Sequence, residues 1–425
     1  MTELTADQAQ ALEKIKKFLG SPSTTFLLEG GAGVGKTFLL GQLFHSLPDS
    51  MTKCVAAPTH KAINVLRRKL DAFNVEWCLG FDDYTFNGTD VITGTTAQLL
   101  GIGPVISDEQ DTKVKFGKKG SGILSKIKPS ILVIDEVSML GWRDLQDLHK
   151  IMKAAGCHLL VVGDEAQLPP VKQERIPFDK LSNKASLRQV VRQAEGSAII
   201  TLAWSIRDGG NWNAINGTGI RRTKSLADSF ISDLKNMDGA AEEDRSVFIA
   251  YTNRRVNEVQ ERACQKLYKH GRLAFAPGEL VLSETNYYDG KILMCSNQEE
   301  LMVDSFREEQ RNPTTGVPVV LHSRANQAKF TASYLTPEEL ADPKHPYRVE
   351  LKVREELAQS LQNKWKGCTS WEKDQINRER KEAWKSFFEW RDQTVMSFRH
   401  PFSITSHKSQ GSTYRAVYAD TVDLA

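Results

Sequence analysis

The chain has 425 residues, room for two or three domains, and its 40% hydrophobic and 26% charged residues are the balance of an ordinary globular protein. A formal net charge of +3 permits a nucleic-acid partner without arguing for one. Six scattered cysteines without a C-x-x-C pair, nine histidines without H-E-x-x-H and no apolar run of membrane length exclude zinc ribbons, thioredoxin chemistry and a membrane role. The polar start, Met1 to Thr5, is no signal peptide, so the expected compartment is the cytosol of a bacterial or phage-infected cell. Apolar residues at Ala9, Leu12, Ile15, Phe18 and Leu19 predict a helix over 6–19. Phe26-Leu27-Leu28 reads as a buried strand, and Phe38 to Phe44 as a helix beyond a glycine-rich loop. A strand at 53–57 and a helix at 61–70 follow, then apolar strands at 130–134 and 159–162, of the kind buried on both faces of a parallel sheet. Between them, 103–122 is polar and Gly-rich, with 113–116 as one possible hairpin arm. A second α/β unit is expected from about 185, with a strand at 246–251 and a helix at 256–267. The stretch 272–350 is turn-rich with short strands, 350–395 is charged and helical, and α/β character returns at 402–425.

The chemistry starts at Gly30-Gly31-Ala32-Gly33-Val34-Gly35-Lys36-Thr37, which fits G-x-x-x-x-G-K-[ST] between a strand and a helix. Glycines let backbone N–H groups close around phosphates, and the helix N-terminus adds partial positive charge. Lys36 then reaches the terminal phosphates and the Thr37 hydroxyl holds Mg²⁺; the plain alternative is a glycine turn. Asp135-Glu136 closes the 130–134 strand, which suits Asp135 for the metal and Glu136 for the attacking water, against a solvated acidic turn. In Gly163-Asp164-Glu165-Ala166-Gln167-Leu168-Pro169-Pro170, Gln167 is placed to bond a γ-phosphate, against a proline-terminated turn.

These blocks, with Ala57-Pro58-Thr59-His60-Lys61-Ala62, Leu187-Arg188-Gln189-Val190-Val191-Arg192-Gln193 and Thr405-Ser406-His407-Lys408-Ser409-Gln410-Gly411, come in an order that resembles superfamily-one DNA helicases, in the branch of the phage Dda-type and RecD helicases. The resemblance covers roughly 4–420 and implies two RecA-like parallel-sheet motor domains that use ATP and Mg²⁺. It implies a first motor domain at 1–184 with a strand-separating pin at 103–122. A second motor domain at 185–274 and 395–425 is interrupted at 275–394 by an SH3-like β subdomain and a helical arm.

By the same resemblance Gln8 reads the adenine edge, Arg192 reaches the γ-phosphate and Gly411 lies at the nucleotide. Thr59, His60, Thr405 and His407 would contact single-stranded DNA, with Lys408 in the block that joins DNA to nucleotide; Thr95, Thr96 and Gln98 resemble a further DNA-contact block more weakly. The family's ribose-contacting Glu is replaced by Thr413. In the arm, Trp365, Trp371, Trp384, Phe387, Phe388 and Trp390 suit either base stacking or packing onto the β subdomain, with Trp384, Phe387, Phe388 and Arg391 on one helix face. The implied activity is 5′→3′ movement on single-stranded DNA or tailed duplex, in replication, repair or recombination, beside single-strand-binding or replisome proteins. The family's last arginine block is not met before Ala425, so the second motor domain is expected to be C-terminally incomplete. That keeps open an ATP-gated DNA-binding protein with weak hydrolysis, and a phosphate-loop ATPase that remodels protein is the other alternative. RNA against DNA stays open as well, since phosphate contacts dominate.

Overall fold

In the computed structural model the described residues are 4–31, 33–79, 91–100, 102–105, 115–118, 129–170, 173–189, 197–234, 244–268, 274–289, 292–324, 327–368, 372–410 and 412–424. The chain forms two compact units, residues 1–104 with 116–222, and residues 105–115 with 223–425.

The first unit is α/β. Its strands are β1 (Thr25–Gly30), β2 (Lys53–Ala57), β3 (Trp77–Leu79), β4 (Val91–Thr95), β7 (Ile131–Ile134), β8 (His158–Gly163) and β9 (Lys184–Leu187), with β5 (Ile102–Val105) and β6 (Lys115–Lys118) as a separate pair. The seven form one parallel sheet in the order β3-β4-β2-β7-β8-β1-β9. Period-2 alternation divides its strands between two cores. Phe26 and Leu28 face one with Val55 and Val133, while Leu27 faces the other with Cys54 and Leu132. Helices cover both faces, so the strands read as continuous apolar runs. Each fully buried Leu contributes ~1.5–3 kcal/mol.

One expected boundary moves. β9 pairs in parallel with β1, and the unit continues to Arg222, so the first domain does not end at 184. Lys184–Leu187 alternates exposed and buried residues, a period-2 signal of an edge strand. Of the expected pin, only the β5–β6 pair lies within the described residues.

The second unit holds a smaller parallel sheet and an antiparallel one. Its strands are β10 (Ser246–Ala250), β11 (Leu280–Ser283), β12 (Tyr287–Asp289), β13 (Ile292–Cys295), β14 (Glu300–Phe306), β15 (Val317–Ser323), β16 (Lys329–Tyr334), β17 (Phe398–Arg399), β18 (Ser403–Thr405) and β19 (Ala416–Ala419). β10 is flanked in parallel by β18 and β19. β16-β15-β14-β11-β17 form the antiparallel sheet over Val281, Leu301, Val319 and Leu321. Because β17 belongs to that sheet, the inserted β region reaches Arg399 rather than ending at 394. Polar contacts tie it to the helix Asn253–Leu267: Glu279 Oε2 lies 2.9 Å from His400 Nε2, and His400 Nδ1 3.3 Å from Cys264 Sγ. Burial pushes the Cys264 thiol up to about 11.

The arm is a pair of packed helices, Pro346–Gly367 and Lys373–Gln393. Trp384 and Phe387 are each 7% exposed and close on Ala358 of the facing helix, so these rings bind the two helices to each other rather than to the β subdomain. Trp371 lies outside the described residues. Among the described residues no helix is long and apolar enough to cross a membrane.

Candidate functional site

The phosphate loop follows β1 at the carboxyl edge of the sheet, where α/β folds bind ligands. Gly35 takes φ +78°, a left-handed conformation that a side chain disfavours, and opens the helix Lys36–Ser46. The ammonium of Lys36 donates to the carbonyls of Gly30 and Gly31 at 2.8 and 3.0 Å. Gln8 is 1% exposed. Its Oε1 accepts from the Thr5 N–H at 3.0 Å in a helix capping box, and its Nε2 donates to the Val34 carbonyl at 3.0 Å. In this arrangement Gln8 braces the loop, and an adenine contact requires it to exchange one of these bonds. Ala32 lies outside the described residues.

Two strands over, β7 delivers Asp135 and Glu136. Asp135 Oδ1 accepts from the Glu136 N–H at 2.9 Å, and Glu136 itself is held at φ +52°. Such a conformation costs of order 1–3 kcal/mol in a non-glycine residue and concentrates at functional sites. Burial, then the Asp135 charge, pushes the Glu136 carboxyl up to about 7, with Lys36 and Lys69 pulling the other way. Its Oε2 is buried without a hydrogen-bond partner. On β8's exit turn, Gln167 Oε1 accepts from the Ser138 hydroxyl at 2.9 Å, which joins this turn to the one carrying the acids. The order β7-β8-β1 therefore sets acids, glutamine and loop side by side.

The residues fit a bound Mg²⁺. Thr37 supplies a hydroxyl 3.5 Å from Lys69 Nζ, Asp135 a carboxylate, and Glu136 an orphaned buried oxygen. Among the described residues no group of three or more His, Cys, Asp or Glu is arranged to hold a metal ion.

The sequence motifs did not contain all of this. Lys69 comes from the last turn of the helix His60–Ala72. Asp7 accepts from the N–H groups of Arg188 and Gln189 at 2.8 and 2.9 Å and so ties the first helix to the Leu187–Gln193 block. Those backbone bonds hold the Asp7 carboxyl below its ordinary range against the opposing effect of burial. Only the fold reveals these pairings; no local pattern marks them.

The expected DNA contacts divide. Thr59 and His60 are half-buried at the start of the His60–Ala72 helix, where the Thr59 hydroxyl accepts from the Ala62 N–H at 3.1 Å. Thr95 is 3% exposed, and its hydroxyl donates to Gln98 Oε1 at 2.8 Å while accepting from the Gln98 N–H. Thr95 and Gln98 make a capping box, and Thr96 is 2% exposed, so this block is a helix start inside the fold. The spacing T-x-x-Q was the available signal. In the second unit, Thr405 is 8% exposed at the end of β18, and His407 is half-buried with its ring 5.8 Å from Tyr251. Burial, then the Arg399 charge, lowers the Lys408 ammonium from its ordinary range. Arg192 and Gly411 lie outside the described residues.

Comparison with known proteins gives the family. The AAA domain model matches residues 3–220. An uncharacterized protein of Acanthamoeba polyphaga mimivirus is 23% identical over 94% of this chain and 89% of its own length. The ATP-dependent DNA helicase Pif1 of Campylobacter jejuni is 29% identical over 38% of this chain, and the match spans 32% of that protein. A crystal structure of Pif1 helicase from Candida albicans aligns over 97% of this chain and 87% of that one, at 15% identity and a TM-score of 0.46. By this family model, which spans half of its length, the chain belongs to the AAA domain family.

Proposed function

We propose that the chain is an ATP-dependent DNA helicase that moves 5′→3′ on single-stranded DNA or tailed duplex, in the cytosol, beside single-strand-binding or replisome proteins. The observation that supports it most is the meeting of Lys36, Asp135, Glu136 and Gln167 at adjacent strand ends, with Glu136 pushed up to about 7. A general base works best when its pKa lies near the operating pH. In this reading Lys36 grips the terminal phosphates, and Thr37 and Asp135 hold Mg²⁺, which neutralises phosphate charge when bound. Glu136 takes the proton of the attacking water, Gln167 orients that water or the γ-phosphate, and Arg192 offsets charge as the bond breaks. Thr59, His60, Thr405 and His407 grip the DNA strand. A ring and a polar tip suit His60 and His407 to stacking and phosphate contact.

The test measures ATP turnover with and without single-stranded DNA, and unwinding of duplexes tailed at the 5′ or the 3′ end. The expected result is DNA-stimulated turnover, unwinding from the 5′ tail only, and loss of both in Lys36→Ala with DNA binding kept. Turnover that survives Lys36→Ala refutes the assignment of the loop. Turnover indifferent to DNA points to a protein-remodelling ATPase, and nucleotide-dependent DNA binding without turnover to a gated DNA-binding protein.

A further inference from the structure

Two carboxylates stand beside the phosphate loop and belong to no catalytic step. β1 and β8 are neighbours in register, Glu29 opposite Gly163, so Glu29 and Asp164 end adjacent strands at the loop. Negative charge there opposes a polyphosphate. A cation from outside every motif answers it. Arg207, in the last turn of the helix Ala198–Arg207, donates through Nη1 to Asp164 Oδ1 at 2.5 Å and sets Nη2 3.9 Å from Glu29 Oε1. Its guanidinium lies 5.1 Å from the Trp204 ring centroid. The same turn closes on the loop backbone: a methyl group on Gly31 would stand 3.0 Å from Arg207 Nη1 and 3.1 Å from Trp204 Cζ2. Asp164 also accepts from the Ala166 N–H at 3.0 Å, at the start of the turn that carries Gln167. The Arg207 side chain thus spans the strand end before the loop, the Gly31 backbone and the Gln167 turn. It is 21% exposed, and Asp164 is 8% exposed, so salt screens this set only in part.

We propose that Arg207, stacked beside Trp204, is a positioning residue for nucleotide binding: it cancels the charge of Glu29 and Asp164 and holds Gly31 so that the loop meets the polyphosphate with a positive field. This rests on the ATP reading above. Arg207 touches carboxylates rather than reacting atoms, so its loss acts on affinity more than on the chemical step.

The test measures equilibrium binding of adenylyl imidodiphosphate, together with KM and kcat for ATP at saturating single-stranded DNA. Arg207→Ala is expected to weaken binding and raise KM by about tenfold or more, the scale of one charge-assisted hydrogen bond, with kcat within about twofold. Arg207→Lys, which keeps charge without the fork, falls between. Arg207→Ala combined with Glu29→Gln recovers a large part of the lost affinity, because the uncompensated charge is gone; a purely structural role gives no such recovery. Unchanged affinity in Arg207→Ala overturns the proposal, and so does a fall in kcat alone or a double variant no better than the single one. If Arg207→Ala does not fold, Arg207→Lys and Arg207→Gln are judged by the same affinity criterion. Lys36→Ala serves as the control: if it too binds nucleotide like wild type, the ATP reading fails; if it alone loses binding, only the role of Arg207 fails.

Discussion

Replacing Glu136 by Gln should stabilise the protein, and by an amount that depends on pH. Burial of the carboxyl beside Asp135 raises it from 4.5 to about 7 in the fold. The charged form is therefore disfavoured when folded. The protonated carboxyl's contribution to stability is fully present below the unfolded value and is lost as pH rises through about 7. The full span corresponds to ~3 kcal/mol, of which ~2 kcal/mol falls between pH 5 and pH 8. Gln cannot ionise, so Glu136→Gln escapes that loss. With ~2–4 °C of melting temperature per kcal/mol in a unit of this size, the variant should gain about 4–8 °C on wild type between pH 5 and pH 8. The assay is thermal melting at both pH values in EDTA without nucleotide, since a bound cation would draw the carboxyl back down. ATP turnover provides the opposing readout: the variant, which has no carboxylate to take the water's proton, should stay nearly inactive where wild type turns over. A stability gap that stays constant with pH, or a variant less stable than wild type at pH 8, would refute the account of Glu136 as a desolvated base.

Two further outcomes follow from side chains whose surroundings differ from their expected roles. Thr95→Ala should cost ~1 kcal/mol in urea unfolding through loss of its cap and leave affinity for oligo(dT) unchanged; a fall in affinity without a fall in stability would restore it as a DNA contact. Trp384→Ala removes a ring stacked 5.7 Å from Phe388 and edge-on 5.6 Å from Phe387, and should cost ~3–5 kcal/mol of arm stability. Hydrogen exchange across 346–393 would report it, whereas weaker DNA binding with unaltered exchange would favour a base-stacking platform.

The elements that fall where expected are those whose signal is local. A phosphate loop needs consecutive residues, so strand, glycines and helix were legible together, as was an acid pair at the end of an apolar strand. The N-terminal helix was legible from its spacing, and the capping box that starts it joins residues three apart. What escaped depends on residues far apart in sequence. Arg207 meets Asp164 across 43 residues, and Asp7 meets Arg188 across 181. The short strand Lys184–Leu187 carries few apolar residues, because an edge strand buries only alternate side chains, and the first domain therefore seemed to end too early. The Thr95 block carries a local pattern with two meanings: Thr-x-x-Gln reads as a DNA contact by resemblance, and in the fold it is also a buried capping box. The arm's aromatic face was legible from its i, i+3, i+4 spacing, but its partner, Ala358 on the other helix, was not.

The second parallel sheet sets an order on synthesis. Strand β10 finds both neighbours, β18 and β19, only after the whole antiparallel sheet and the helical pair have been made. A ribosome adding about 5–20 residues per second takes roughly 10–30 s to deliver the ~150 residues in between. Throughout that interval Val247 and Phe248, 1% and 0% exposed in the finished protein, have a strand with two open edges and nothing to pair with. The first unit's parallel sheet, whose seven strands all lie before residue 188, can close long before. A nascent chain halted between the two stages would thus carry a finished nucleotide-binding sheet attached to an aggregation-prone strand, which makes the half-made polypeptide a natural client for a chaperone that shields extended apolar segments.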